Sequence, residues 1–328
     1  MLKQRRVWFG FGALAAGAVL LPQGLGSYQL HLLILVLINI VLASSLRLSL
    51  MVGQLNIGHS GFMAIGAYTS ALLVKEVGLP FELGLLAGAG TAAIASIIIG
   101  YPSLRLRGVY FALVTVAFVE AVRLAATAWV SLTGGPSGMT VPRPNLLGVP
   151  LTTRSDQYYL ALFLAALTLF ILYRLERSRL GLTWKGIRQA DNLAEAVGVD
   201  LTRYKLLAFV LASLFAGAAG SFYAHYIRFI FPPTFGFLLA VNILVYNFVG
   251  GRERLAGPII GATFLTLLAE PFRGVTYYET LFFAIGLLLT VVLLPGGLVT
   301  LPQRLSGIYR TLLAKRAPVT RRRAPLIP

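Results

Sequence analysis

Long apolar runs alternate with short polar intervals along almost the whole chain. The runs cover 7–21, 31–46, 48–74, 83–100, 108–130, 157–173, 206–227, 237–249, 258–269 and 281–294. Most approach the ~20 residues that an α-helix needs to cross a bilayer. Backbone polar groups inside lipid must be satisfied within the helix itself. The pattern therefore predicts an all-α polytopic membrane protein of about ten transmembrane helices. No small-x-small cleavage site precedes Gln23, so 7–21 is read as a first span rather than a signal peptide. The 48–74 run is broken by Gly53, Gly58, His59, Gly61 and Gly66, which disfavours a plain helix and predicts a bent or interrupted one. In the 206–227 run, Ala212, Ala216 and Gly220 form a small-residue stripe, flanked by Ser213 and Gly217. Such stripes let helix backbones approach closely.

The longest polar interval is 174–205, and it carries seven basic residues, Arg174, Arg177, Arg179, Lys185, Arg188, Arg203 and Lys205. Density of that kind beside membrane spans marks a cytoplasmic loop. Alternating the spans from this anchor leaves Lys75, Arg143, Arg154, Arg228 and Arg273 outside and Arg123 within a span. The other 22 of the 28 lysines and arginines fall inside. Both termini are then cytoplasmic, with Arg47 marking the inner end of the 31–46 run. The whole chain, 1–328, reads as a single transmembrane domain, with a cytoplasmic loop at 175–205 and a basic tail at 302–328.

Composition narrows the function classes. A hydrophobic fraction of 57% and a mean hydropathy of +0.81 exclude a soluble domain. The net charge of +17 would suit nucleic acid, but the basic residues cluster at span ends, so topology accounts for them and no nucleic-acid partner is expected. Cysteine is absent, which removes disulfides and thiol chemistry. The three histidines are far apart and no HExxH occurs, so neither a metal site nor a catalytic residue is expected. No lysine follows a glycine anywhere, so there is no phosphate-binding loop of the GxxxxGK[ST] kind. No cofactor is implied.

Within the polar interval lies a short helix signal. Asn192 can cap, Glu195 stands three residues on, and Gly198 sits where a C-terminal glycine would. Leu193, Ala196 and Val197 share one face. An amphipathic helix of this kind can lie on lipid headgroups, pack on its own bundle, or dock into a partner. The run Glu195-Ala196-Val197-Gly198, with Val199 to Phe209 after it, resembles the coupling loop of ABC importer permeases, and among these the branched-chain amino acid subfamily. A second resemblance lies in Gln54-Leu55-Asn56-Ile57-Gly58-His59-Ser60-Gly61-Phe62, with asparagine where serine is more usual in the family.

The resemblance implies a set of partners: a second permease subunit in a heterodimer, two ATP-binding subunits on the cytoplasmic side, and an external substrate-binding protein. It also implies residence in the inner (plasma) membrane, with the bilayer as surroundings. The short helix, Asn192, Leu193, Glu195, Ala196, Val197 and Gly198, would engage the ATPase. ATP hydrolysis would belong to those partners, and the chain itself would be a transporter subunit, not an enzyme. The cargo would be a branched-chain amino acid or a related small polar substrate. Urea or another small solute is the alternative within the family, and a stand-alone channel or secondary transporter the alternative outside it.

Polar residues near a membrane boundary should face the bundle or a water path rather than lipid. Gln54, Asn56, His59, Ser60, Gly61 and, further on, Asn242 are therefore the candidate substrate pathway. His59 is expected to tie helices together, since no carboxylate lies near it in sequence. Glu120 and Arg123 share a helix face at a spacing that makes an ion pair, read here as structural. The glycine-rich segments from Gly53 to Ala67 and from Gly250 to Ala262 echo one another, which predicts an inverted repeat built on interrupted helices.

Overall fold

The computed structural model describes residues 22, 24–106, 108–272 and 297–300. The predicted spans 7–21 and 281–294 and the tail 302–328 lie outside the described residues. The described chain is mostly helical: α1 (Ser27–Met51), α2 (His59–Lys75), α3 (Phe81–Ser103), α4 (Val109–Ala128), α5 (Arg154–Arg177), α6 (Arg179–Gln189), α7 (Asp191–Ala196), α8 (Leu201–Ile227), α9 (Phe237–Gly250) and α10 (Ala256–Ala269). Six segments are long and apolar enough to cross a membrane: α1, α3, α4, α5, α8, and Pro232–Gly250, which contains α9. The helices α2 and α10 are shorter, at 17 and 14 residues. Of the ten expected spans, two thus lie outside the described residues, six are full-length candidates, and the remaining two correspond to the shorter α2 and α10.

Apolar residues all round a helix suit burial among other helices or in lipid, and the helices differ in how far this chain itself buries them. The 18-residue apolar windows of α1 and α8 are 72% and 67% buried within this chain, whereas that of α4 is 28% buried. So α1 and α8 form the centre and α4 lies at the rim. One core is centred on α1, α2, α3 and α8, with Phe62, Phe209 and Phe222 inside it and with residues of α4, such as Phe111, and of α5 packed into it. A second, smaller core joins Val36, Ile40 and Ala43 of α1 to Val245 and Val249 of α9 and to Ala262 and Leu265 of α10.

The small-residue stripe of α8 does what its spacing predicts. Ala212, Ala216, Gly217 and Gly220 are all buried. The crossing of α2 and α8 is backbone on backbone: a Cβ on Gly66 of α2 would lie 2.2 Å from the Gly217 carbonyl oxygen of α8. Ser221 Oγ donates to Gly66 O across the same crossing at 3.0 Å.

At one end of the bundle lies the Gly/Pro-rich 131–153 loop. Its residues Met139–Thr140 pair antiparallel with Phe229–Ile230 after α8, and Asn145–Leu146 pair with Val149–Pro150 in a second short ribbon. Next to it α5 begins with a capping box, Thr153 and Asp156 each accepting from the other's backbone N–H at 3.1 and 3.2 Å. At the opposite end α6 and α7 gather with the polar turn between α9 and α10, as the ion pairs described below show; this is the basic end.

One boundary differs from expectation. The helix does not stop at Arg47 but runs one turn further, to Met51. The Arg47 side chain is 3% exposed and donates bidentately to Glu176 at the end of α5, at 2.9 and 3.0 Å. It also donates to the carbonyls of Arg252 and Glu253, at 2.9 and 3.0 Å. A guanidinium so fully matched has no need of water, so it sits inside the bundle.

Candidate functional site

The interruption after α1 is built by local backbone chemistry. Gly53 takes φ +79, in the left-handed region open to glycine. Its N–H donates to Leu50 O at 3.2 Å and that of Gln54 to Ser49 O at 3.0 Å, the paired bonds of a Schellman C-cap. The chain then continues non-helically to Gly58 before α2 opens at His59. Non-helical backbone at membrane depth is tolerated only when buried in protein or lining a cavity. Here side chains satisfy it: Ile57 N–H donates to Thr115 Oγ1 at 3.1 Å and Gly58 N–H to Asn56 Oδ1 at 2.8 Å.

The proposed pathway residues cluster around this break. Asn56, His59 and Ser60 are fully buried, and Gln54 is 5% exposed. His59 Nε2 pairs with Ser45 Oγ at 2.9 Å, tying α2 to α1. Ser60 Oγ donates to the carbonyl of Gly236, just before α9, at 3.3 Å. Asn56 Nδ2 is buried without a hydrogen-bond partner among the described residues. A Cβ on Gly61 would lie 2.9 Å from the Phe118 ring and 3.5 Å from the Val119 backbone, so its neighbour is mainly a side chain. Asn242 stands apart, half-buried on α9. The polar link from α9 to α1 is made instead by Asn247, whose Nδ2 donates to Ala43 O at 2.9 Å.

The basic end carries the second group. The 174–205 interval holds a full helix, α6, that the charge density conceals. Its Trp184 and Ile187 are completely buried, and Trp184 Nε1 donates to Tyr204 O in α8 at 3.0 Å. The apolar spacing Leu180, Trp184, Ile187 was the available signal. One residue separates α6 from α7, so the N-cap of α7 is Ala190 and Asn192 lies inside the helix, not at its cap. Asp191 turns instead to the buried Lys205, at 2.6 Å. Gly198, at φ +88, ends α7 with the same Schellman pair, its N–H on Glu195 O at 2.9 Å and that of Val199 on Ala194 O at 3.0 Å.

Leu193 and Val197 are 66% and 74% exposed, and Ala196, Glu195 and Asn192 are exposed beside them. α7 is thus fastened at its ends while its apolar face is left exposed among the described residues. Between α7 and the helix break lies a polar cleft lined by Val52, Gly53, Gln54, Gly108, Arg188, Asp191 and Lys205. Arg188 also forks onto Glu253 in the α9–α10 turn, Nη1 to Oε2 at 3.2 Å. That bond outweighs partial burial, which pushes the other way, and holds the Glu253 carboxyl below the usual carboxylate range.

Glu120 and Arg123 form the expected ion pair on α4, Nε to Oε2 at 2.6 Å. Both are about one-third exposed, at 36% and 30%. Among the described residues, no group of three or more His, Cys, Asp or Glu could hold a metal ion.

Comparison with known proteins agrees with this architecture. The family model described as branched-chain amino acid transport system / permease component matches residues 28–294. The chain is 36% identical over 278 residues to the high-affinity branched-chain amino acid transport system permease protein LivM of Salmonella typhimurium, covering 76% of this chain and 65% of that one. It is 33% identical over 277 residues to the LivM protein of Escherichia coli, with the same coverage. Against the LivH permease protein of Escherichia coli it is 24% identical over 275 residues, 77% of this chain and 87% of that one. The chain therefore spans 65% of the length of the two LivM relatives. No solved structure matches the chain. With the model matching from the start of α1 past the end of α10, this chain belongs to the family of branched-chain amino acid transport permease components.

Proposed function

We propose that the chain is the membrane-spanning permease subunit of an ABC importer. It moves branched-chain amino acids, or a closely related small polar substrate, by alternating access. It pairs with a second permease subunit and receives cargo from an external binding protein. Two ATP-binding subunits on the cytoplasmic side supply the energy. The basic end of the bundle faces the cytoplasm and both termini lie there, in keeping with the bias of lysine and arginine. The glycine-initiated breaks before α2 and α10 are the matching halves of an inverted repeat, with the substrate route beside the first.

The observation that carries this reading is the uncovered apolar face of α7. A six-residue helix is too short to hold itself together. Lys205, the α6 packing and the Gly198 cap all fasten it, yet Leu193, Ala196 and Val197 face outward. That is a ready-made knob for an ATPase groove. The polar cleft beneath it, floored by Gly53 and Gln54, gives a short mechanical route from α7 to the broken helix.

The test is Ala196→Asp. An unpaired charge forced into an apolar contact costs several kcal/mol. Membrane insertion should be normal, because α7 lies outside the spans, while co-purification of the ATPase and uptake should both be lost. Full ATPase binding with normal uptake would remove the coupling role.

A further inference from the structure

The ion pair on α4 is placed where a structural pair should not be. Glu120 is the twelfth residue of a 20-residue helix, about 16 Å along a helix of about 30 Å. That puts it near the middle of the span. Both side chains stay about one-third exposed, at 36% and 30%. Leu113 and Leu124 on the same rim helix are 64% and 55% exposed. Charges at mid-membrane are costly against lipid and ordinarily face a bundle interior or a water-filled cavity. This face of α4 must therefore be closed by something other than lipid.

The contrast with Arg47 is instructive. Arg47 spends its donors on two carboxylate oxygens and two carbonyls and is sealed off. Arg123 donates only through Nε. Among the described residues its Nη1 and Nη2 have no acceptor, and Glu120 Oε1 accepts nothing. A guanidinium has five N–H donors in a planar fork that fits a carboxylate bidentately. The open edge of Arg123 is thus shaped for a carboxylate, and the open oxygen of Glu120 for an ammonium.

The neighbourhood links the pair to the helix break. A Cβ on Gly236 would lie 3.4 Å from Arg123 Cδ and 4.0 Å from Glu120 Oε1, so nothing larger than glycine crowds the charges there. The Gly236 carbonyl is the one that Ser60 holds. Two residues nearer the basic end, and on another side of α4, the Phe118 ring packs on Phe62 with ring centroids 4.7 Å apart, so α4 is held against α2 there.

We propose that Glu120 and Arg123 form a charge-recognition subsite on the translocation route. Arg123 receives the carboxylate and Glu120 the ammonium of a zwitterionic amino acid, on a face of α4 closed by the second permease subunit. This rests on the importer reading above and adds to it the residues that meet the cargo.

The test uses the assembled importer with its binding protein in proteoliposomes, with labelled L-leucine and urea as probes. Glu120→Arg combined with Arg123→Glu keeps an ion pair at the same spacing but reverses its ends. The expected result is normal membrane abundance, normal retention of the second permease subunit, and leucine uptake down at least tenfold. Arg123→Lys keeps the charge and loses the fork; it should lower leucine uptake per ATP hydrolysed several-fold at unchanged abundance. Wild-type uptake by the reversed pair would show a purely structural pair and overturn the proposal. So would a loss of the partner subunit that accounts for the whole uptake defect in both variants. Failure of the importer reading shows elsewhere: a wild-type complex that moves urea and not leucine refutes the substrate class, and the subsite with it, before any variant is made.

Discussion

Replacing Gly66 with alanine tests the packing on which the whole bundle rests. The added methyl would sit 2.2 Å from Gly217 O and 2.4 Å from Gly217 Cα. Ordinary carbon–oxygen contact is more than an ångström longer, and the obstacle is backbone, which cannot rotate aside. The helices α2 and α8 must therefore separate by about 1 Å, and overpacking of this kind costs about 1–3 kcal/mol. The separation also strains the Ser221 Oγ hydrogen bond to Gly66 O, worth about 1 kcal/mol. Together the loss is about 2–4 kcal/mol. The natural control is Gly90→Ala on α3, where the new methyl meets nothing within 4 Å. There the gain in helix propensity, about 1 kcal/mol, is free to appear. The assay is the thermal aggregation midpoint of the detergent-solubilised complex. Gly66→Ala should fall by several degrees and Gly90→Ala should hold or rise. Equal midpoints for the two variants would refute the argument that backbone contact at this crossing sets stability.

Gly61→Ala should be milder than Gly66→Ala by the same assay, because the Phe118 ring 2.9 Å away is a half-buried side chain that can yield. A cysteine at Ser178 should be labelled only from the cytoplasmic side and one at Ser137 only from outside; outside labelling at Ser178 would invert the orientation drawn from the charges. Glu253, held below the ordinary carboxylate range by Arg188, should contribute stability that is present above the ordinary value and lost as pH falls through the lowered one. The wild-type midpoint should therefore drop more steeply than that of Glu253→Gln on acidification below about pH 4. Parallel curves would show that the Arg188 bridge contributes nothing.

The sequence by itself determined whatever depends on neighbours along the chain. Apolar run length set the membrane class and the positions of most helices. Glycine spacing located the break at Gly53 and the small-residue face of α8, and Gly198 marked the end of α7. These are local properties: a left-handed φ, a C-cap or a 3.6-residue stripe is decided within one or two turns. The tertiary structure alone decided which of these features touch. Gly61 and Gly66 are alike in sequence, yet a Cβ on Gly66 runs into backbone at 2.2 Å while one on Gly61 meets first the Phe118 ring, because the rotation of α2 about its axis points one at α8 and the other at Phe118. Arg47 reads as the end of a span until the distant Glu176 and two carbonyls of the α9–α10 turn are brought to it. Asn192 has the composition of a cap, but α6 runs to Gln189 and leaves a single-residue link, so the helix starts before it. In each case the deciding partner lies far away in sequence or belongs to another element. Its arrival depends on how whole helices rotate and cross, which no local pattern records.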